Sequence, residues 1–301
     1  MTGRTHAPPV VAVVLNWNNE ADTAACLNSL LAQEGVSLEI LLVDNASADG
    51  SGARLHERYP AVHYLATQEN LGYAGGNNAG LRWALERGAA WVLVVNNDTV
   101  ADASCLARLL AAASLDVRIG ALAPLIVRHD APTRVWFAGG HYSRLRALGT
   151  HEHEGEVADD VARTATEDGH PWRACTFLTG CCLLLRAEAL RDVGLFRADF
   201  FAYVEDVELS LRLREGDWKL GWVPGARLAH RVPPAGTAES PMQITLRDRN
   251  RRRLVRDRYP LHDRVIFHMW FVPTRIVHLL RCLARRDMPR TRAILAGMTS
   301  R

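Results

Sequence analysis

The chain has 301 residues, 48% of them hydrophobic and 23% charged, which suits one large or two small soluble domains with a real core. No apolar run reaches the about 18 residues needed to cross a bilayer, and the opening MTGRTHAPPVV has no long apolar stretch. A membrane span and a secretory signal are therefore not read, and the expected address is cytoplasmic. Six scattered cysteines with no CxxC pair fit neither a zinc framework nor a disulfide scaffold and read as reduced, mostly buried side chains.

Residues 10–15 form a continuous apolar, β-branched run, the signature of a buried strand. Polar NWNNE follows, then a helical pattern at Ala24, Leu27, Leu30 and Leu31. Residues 38–43 are a second buried strand running into the loop DNASADGSG, with a helix over 52–58 and a short strand over 62–65 behind it. ENLGYAGGNNAG reads as a glycine-rich loop before a helix through Leu81, Trp83 and Leu85. Residues 91–95 are the next buried strand, ending in NNDT, and Asp102 is placed to cap the helix carrying Leu106, Leu109 and Leu110. This alternation predicts an α/β fold with a mainly parallel sheet. Ligands of such sheets sit outside the carboxyl ends of the strands, where Asn16, Asp44 and Asn96 fall.

The second half is less regular. Residues 121–127, 135–138 and 181–185 read as strands, 141–170 as a long polar loop, and 187–192 and 205–214 as helices. Residues 220–223 and 227–230 read as two short strands, and 232–240 as a Pro- and Gly-bearing connector to an Arg-rich helical tail. Residues 242–301 hold 15 arginines against 4 aspartates, a surplus of +11 that leaves −8 on the rest of a chain with net charge +3. Such clustering points to an anionic surface, a membrane before a nucleic acid, for which no recognition motif is present.

Three constellations carry chemistry. Asn96-Asn97-Asp98 closes a buried strand, where a carboxylate can hold a hard cation, although Asn-Asp pairs also form plain turns. Glu205, Asp206 and Glu208 follow an aromatic stretch. They either supply a general base or merely complement a helix dipole. His230 ends a short strand, as a ligand or as a structural side chain. His151-Glu152-His153-Glu154 has metal-binding residue types but sits in what reads as a solvated loop. No P-loop and no Rossmann fingerprint is present.

The segments VVAVVLNWNNE, LLVDNASADGS, ENLGYAGGNNAG, VVNNDT, FLTGCCLLLR, FFAYVEDVELSLRLR and LGWVPGARLAH, in that order, resemble glycosyltransferase family 2, and within it the rhamnosyltransferase-like branch. The resemblance covers about residues 10–231. It implies a GT-A fold and transfer of a sugar from a nucleoside diphosphate donor, dTDP-L-rhamnose first, with inversion and with Mg²⁺ or Mn²⁺. The acceptor is a hydroxyl of a glycan, lipid-linked or natural-product molecule. The resemblance places the donor on Leu15, Asn16, Asp44, Asn45, Gly72, Gly75, Gly76, Asn77, Asn96 and Asn97, with Ser47 nearby. It makes Asp98 and His230 metal contacts, Asp206 the base in a pair with Glu205, and Thr179, Gly180 and Tyr203 acceptor-side residues. Asn96 stands where the metal motif has its first acid, which weakens the electrostatic grip on the cation.

The expected organisation is a catalytic domain over 1–235, with a donor half at about 10–125 and an acceptor half at about 126–235, and a helical extension over 236–301. In the extension, Ile266, Phe267, Met269, Trp270, Phe271, Ile276, Leu279 and Leu280 suit either an interfacial helix on the inner face of the plasma membrane or a helical pair packed on the protein or on a second copy. Two competing readings are a nucleotidyltransferase, for which NWNNE lacks the basic glycine-rich signature, and a non-catalytic sugar-nucleotide binder, which would not need Asp206.

Overall fold

The computed structural model describes residues 10–233 and 237–300; the tip of the expected 232–240 connector and the first nine residues lie outside them. Apolar runs with no polar face must be covered on both sides. They become the central strands β1 (Val10–Asn16), β2 (Leu38–Asp44) and β4 (Trp91–Asn96), with β3 (His63–Ala66) at the edge. Helices α1 (Glu20–Leu31), α2 (Ser51–Arg58) and α3 (Gly72–Glu86) connect them. Then come β5 (Thr99–Ala101), α4 (Cys105–Ala113), β6 (Ile119–Arg128), β7 (Ala131–Phe137), β8 (Gly140–Ser143), β9 (Leu148–His151), α5 (Ala158–Ala165) and β10 (Arg173–Ala174). The rest is β11 (Cys182–Arg186), α6 (Ala187–Val193), α7 (Glu205–Glu215), β12 (Lys219–His230), α8 (Pro241–Arg258), α9 (Leu261–Ala284) and α10 (Met288–Thr299).

Ten strands form one sheet, whose main path runs β10-β12-β6-β11-β4-β1-β2-β3. The β4-β1-β2-β3 portion is wholly parallel, and β11 joins antiparallel between β4 and β6. β12 runs parallel to β6, and β5 pairs antiparallel with the end of β12, setting His230 opposite Thr99. The carboxyl ends of β1, β2 and β4 thus share an edge with the residues preceding β11 and with the end of β12.

Several local expectations are corrected. The glycine-rich stretch is not a loop: α3 starts at Gly72. Glycine is a poor helix former, but here the helix lies hard against β1. A Cβ on Gly76 would stand 2.5 Å from Leu15 Cδ1, and one on Gly80 2.3 Å from Val13 Cγ1. Residues 141–170 hold the β8–β9 hairpin and α5 rather than one long loop, and His151 lies in β9 against Trp136 instead of in solvent. The two strands expected at 220–230 are one, β12, whose register against β6 jumps between Val223 and Arg227; Pro224, which has no N–H for the ladder, falls in the jump. Asp102 does not cap α4 with its side chain; its backbone oxygen accepts from Cys105 N.

The tail is three helices. α8 turns some of its arginines inward: Arg251 is buried and donates to Arg146 O at 2.8 Å and Arg258 pairs with Glu208 at 3.1 Å, while Arg197, ahead of α7, reaches Asp257 of α8 at 2.7 Å. The fully buried Asp248 holds Arg251 and Arg275 at 3.3 and 3.1 Å, fastening α8 to α9. A charge buried this way is tolerated because it is paired on both sides.

Candidate active site

The ends of β1, β2 and β4 are tied by side chains. Asn16, with no exposed surface, donates from Nδ2 to Asp44 Oδ1 at 3.2 Å, Ser47 Oγ at 3.0 Å and Ser51 Oγ at 2.9 Å. Its Oδ1 accepts from Thr23 Oγ at 2.9 Å, and Asn97 Nδ2 donates to that same hydroxyl at 2.8 Å. Ser47 Oγ also donates to Asp44 Oδ1, at 2.5 Å. Asn45 is equally enclosed. It donates to Asn70 Oδ1 at 2.9 Å and Gly72 O at 3.1 Å, and accepts from Leu71 N at 3.0 Å.

The next strand end differs. Asn97 and Asp98 make the turn between β4 and β5, and β12 runs alongside β5, so His230 Nε2 comes within 3.2 Å of Asp98 Oδ1. Arg231 N donates to Asp98 O at 2.9 Å, fixing the turn. Asp98 Oδ1 and His230 Nδ1 are both buried without a hydrogen-bond partner. The His230 ring is braced edge-on by Trp136 at 4.5 Å, and Trp136 in turn by His151, whose Nδ1 meets Trp136 O at 2.9 Å. Burial holds His151 below the usual imidazole range, so it props the aromatic stack as a neutral ring.

The third element is the start of α7. Phe201, Tyr203 and Val204 all have positive φ, 64°, 69° and 74°, conformations that cost non-glycine residues energy and persist only when the surroundings enforce them. Asn250 of α8 does the enforcing. Its Nδ2 donates to the carbonyls of Phe200, Ala202 and Tyr203 at 2.8, 2.9 and 2.8 Å. The strained loop delivers Glu205 and Asp206 to the sheet edge. Asp206 Oδ2 accepts from Gly180 N at 2.9 Å and Oδ1 from Val207 N at 2.8 Å. Tyr73 OH donates to Gly180 O at 2.5 Å, and Thr179 Oγ accepts from Cys181 N at 3.4 Å. Burial raises the Asp206 carboxyl above its ordinary range, partly offset by the Gly180 and Val207 N–H groups. Burial and the adjacent Asp206 charge push Glu205 well up, and Glu205 Oε2 is buried and unpartnered. Glu208 is different: Arg212 grips both its oxygens at 3.0 and 2.8 Å.

These elements surround a cleft of about 260 Å³. Of the residues named from sequence, Leu15, Asn45, Gly72, Asn96, Asn97 and Asp98 line it. Asn16 and Asp44 are buried at the strand ends, and Gly75, Gly76 and Asn77 are buried inside α3. Asp206 is joined to the cleft through Gly180 and Tyr73, itself a wall residue. Sequence reasoning missed Trp17, Asn70, Tyr73, Phe201 and Met242 as lining and Asn250 as the loop's clamp. Trp17, half exposed in an otherwise polar post-strand loop, could have been flagged as a platform for a planar group. Nothing in the Arg run around Asn250 signals its role.

The fold is GT-A-like, shared with two solved structures. GalNAc-T7, solved with UDP, GalNAc and Mn²⁺, superposes with TM-score 0.65 over 84% of this chain and 48% of its own, at 16% identity. The mannosyltransferase PcManGT of Pyrobaculum calidifontis, solved with GDP-Man and Mn²⁺, gives TM-score 0.58 over 97% and 86%, at 18% identity. The glycosyl transferase family 2 profile matches residues 11–194, and the chain belongs to that family. It is 34% identical over 242 residues to the N-acetylglucosaminyl-diphospho-decaprenol L-rhamnosyltransferase of Mycobacterium tuberculosis, across 75% of this chain and 76% of the relative. It is 31% identical to galactofuranosyltransferase GlfT1 of the same organism, across 76% and 71%. The protein is a glycosyltransferase, which displaces the nucleotidyltransferase and non-catalytic readings.

Proposed function

We propose that this enzyme transfers a sugar, L-rhamnose from dTDP-L-rhamnose as the first candidate, to a hydroxyl of a lipid-linked glycan, with inversion at the anomeric carbon. The observation that carries the reading is the convergence at one sheet edge of the Asp98–His230 pair after β4 and the Gly180–Asp206 clamp before the neighbouring strand β11. The rhamnosyltransferase relative supports the choice of sugar and of a polyprenyl diphosphate acceptor.

The pair fits a small hard cation. A buried, unpartnered carboxylate oxygen faces an imidazole nitrogen at 3.2 Å, and Mg²⁺ or Mn²⁺ needs few protein ligands when donor phosphates and water complete its shell. Bound there, the cation would neutralise charge developing on the departing diphosphate. Leu15, Asn45, Gly72, Asn96 and Asn97 line the donor space, and buried Asn16 and Asp44 set the strand ends beneath it. Gly76 lets α3 approach β1 at Leu15, Gly75 packs tightly on Leu71, and Asn77 Nδ2 donates to Tyr73 O at 2.9 Å. Asp206 takes the proton from the acceptor hydroxyl as that oxygen attacks the face opposite the leaving diphosphate. The Gly180 and Val207 N–H groups favour its ionised form against the burial that raises it, while burial and the Asp206 charge favour the protonated form of Glu205 beside it. Thr179, Gly180 and Tyr203 stand on the acceptor side. In this reading 10–125 serves the donor, 126–235 the acceptor, and 236–301 braces the acceptor half through Asn250, Arg251 and Arg258.

A thermal-shift panel of nucleoside diphosphates and their sugars, each with Mg²⁺, Mn²⁺ or chelator, tests it. A cation-dependent shift with dTDP or dTDP-rhamnose is expected. A UDP- or GDP-selective shift would discard rhamnose, and no shift with any nucleotide would sink the donor site as drawn.

A further inference from the structure

The three tail helices treat their apolar residues unequally. The inward side of α9 buries Phe267, Phe271 and Cys282. Its outward side exposes Leu261, Val265, Ile266, Met269, Val272, Ile276, Val277, Leu280 and Leu283. Val265, Met269, Val272, Ile276, Leu280 and Leu283 recur at steps of three and four, so they form one continuous stripe, with Ile266 and Val277 beside it. At about 1.5 Å per residue the stripe is roughly 27 Å long. Met269 is 72% exposed, so this is not a partly closed core. A single patch of this size on a soluble protein marks an interaction surface.

We infer that this face lies flat on an anionic bilayer surface, with the apolar side chains among the acyl chains and the arginines at its carboxyl end against lipid phosphates. Among the described residues no helix is long and apolar enough to cross a membrane, so α9 rests on the surface. The charge pattern selects lipid over a second protein. The one acid of α9, Asp263, is mostly covered and pairs with Arg144, so the exposed side of the helix carries no free carboxylate. Arg281, Arg285 and Arg286 are exposed at the end of the stripe, with Arg292 on α10. Arg281 and Arg285 also line a hollow of about 450 Å³ in which Asp287 is already paired with Arg290 and Glu239 with Arg247. That leaves cationic groups turned to a headgroup phosphate. The inference rests on the lipid-linked acceptor of the preceding reading, and it gives that acceptor a place to be met: Met242, at the start of α8, lines the cleft, and α8 is fastened to α9 through Asp248.

The test is co-sedimentation of the full chain with vesicles of phosphatidylcholine alone and of phosphatidylcholine with phosphatidylglycerol. Binding is expected to the anionic vesicles and to weaken with salt. The double variant Met269→Glu, Ile276→Glu, at positions exposed to solvent, is expected to lower partitioning at least about tenfold while its nucleotide thermal shift stays at the wild-type value. Arg281→Gln with Arg285→Gln and Arg286→Gln should erase the preference for anionic lipid. Wild-type protein left in the supernatant with both vesicles, or a glutamate variant that partitions like wild type, overturns the inference. So does a wild-type dimer that the glutamate variant turns into a monomer without any vesicle binding, which would make the stripe a contact between copies. Partitioning needs neither donor nor acceptor, so vesicle binding without transfer to a lipid-linked acceptor would remove the acceptor reading alone.

Discussion

The two walls of the cleft are built on opposite principles. On the β1–β2 side the polar groups close on one another: Asn97, Thr23, Asn16, Asp44 and Ser47 form a connected chain, and Asn45 is bound on both its oxygen and its nitrogen. On the β12–α7 side, Asp98 Oδ1, His230 Nδ1 and Glu205 Oε2 are buried without a hydrogen-bond partner, Asp98 Oδ1 having only its ion-pair contact with His230 Nε2. Buried polar atoms without a hydrogen-bond partner are costly in native proteins, and a bound ligand or water relieves that cost. The satisfied wall is a scaffold that fixes where the strand ends stand. In the proposed function the unsatisfied wall is the one that takes up ligand.

If that contrast is right, substitutions on the second wall should damage turnover and those on the first should damage stability. The largest effect is expected from Asp206→Asn, which removes the base but keeps an oxygen for the Gly180 or Val207 N–H. Turnover should fall by about 10³-fold with the nucleotide dissociation constant little changed. Retained turnover in a steady-state assay of nucleotide release would dismiss Asp206 as the base. Asp98→Ala should cost about 10²-fold in kcat/KM and abolish the dependence of the nucleotide thermal shift on divalent cation. A variant that keeps both would move the cation elsewhere. Asn16→Ala should do the reverse. It strands Thr23, Ser51 and Asp44 inside the protein, so unfolding stability should drop by roughly 2–3 kcal/mol by denaturant titration, with kcat per folded molecule near wild type. A loss confined to donor affinity would break the comparison.

Much of the first wall was legible because it depends on one-dimensional signals. Continuous apolar runs at 10–15, 38–43 and 91–95 give strands, and the polar residues behind them fall at carboxyl ends by topology alone. What the pattern hid was depth. Asn16 sits in the same kind of polar segment as Asn97, yet one has no exposed surface and the other lines the cleft. Glycines at 75, 76 and 80 argued for a loop because propensity is a local quantity, whereas contact with Leu15 and Val13 is not. The second wall was legible as residue types but not as an arrangement. His230 meets Asp98 only because β12 runs back beside β5, and the positive φ angles before α7 have no glycine to announce them. Asn250 shows the limit most clearly: one neutral side chain in a run of arginines holds three carbonyls of the strained loop. Asn250→Ala should lower kcat by about tenfold through misplacement of Asp206, with KM for the donor nearly unchanged. Equal losses in both would make Asn250 a general stability element.

The smallest effect, at Glu205, tests whether the unsatisfied wall is kept at the expense of stability. Burial and the neighbouring Asp206 charge raise the Glu205 carboxyl well above the ordinary glutamate range. Between that range and the raised native value, the folded protein binds more protons than the unfolded chain. Stability therefore falls as pH rises through this window, and is restored as pH drops back through it. Glu205→Gln removes the penalty, so the variant should melt higher than wild type on the alkaline side, and the difference should shrink as the pH approaches the ordinary glutamate value of about 4.3. Asp206 needs its charge for turnover, so the acid limb of kcat should lie above the usual aspartate range in the wild type. The Asp206 charge is among the causes that raise Glu205, whereas Glu205 is not among those that raise Asp206. Replacing Glu205 by glutamine should leave that limb in place. A limb that moves with Glu205→Gln would mean the two carboxyls share one proton and act as a dyad. A variant that melts lower on the alkaline side would mean Glu205 is a satisfied structural acid, and the second wall would lose one of the three orphaned atoms that set it apart from the first.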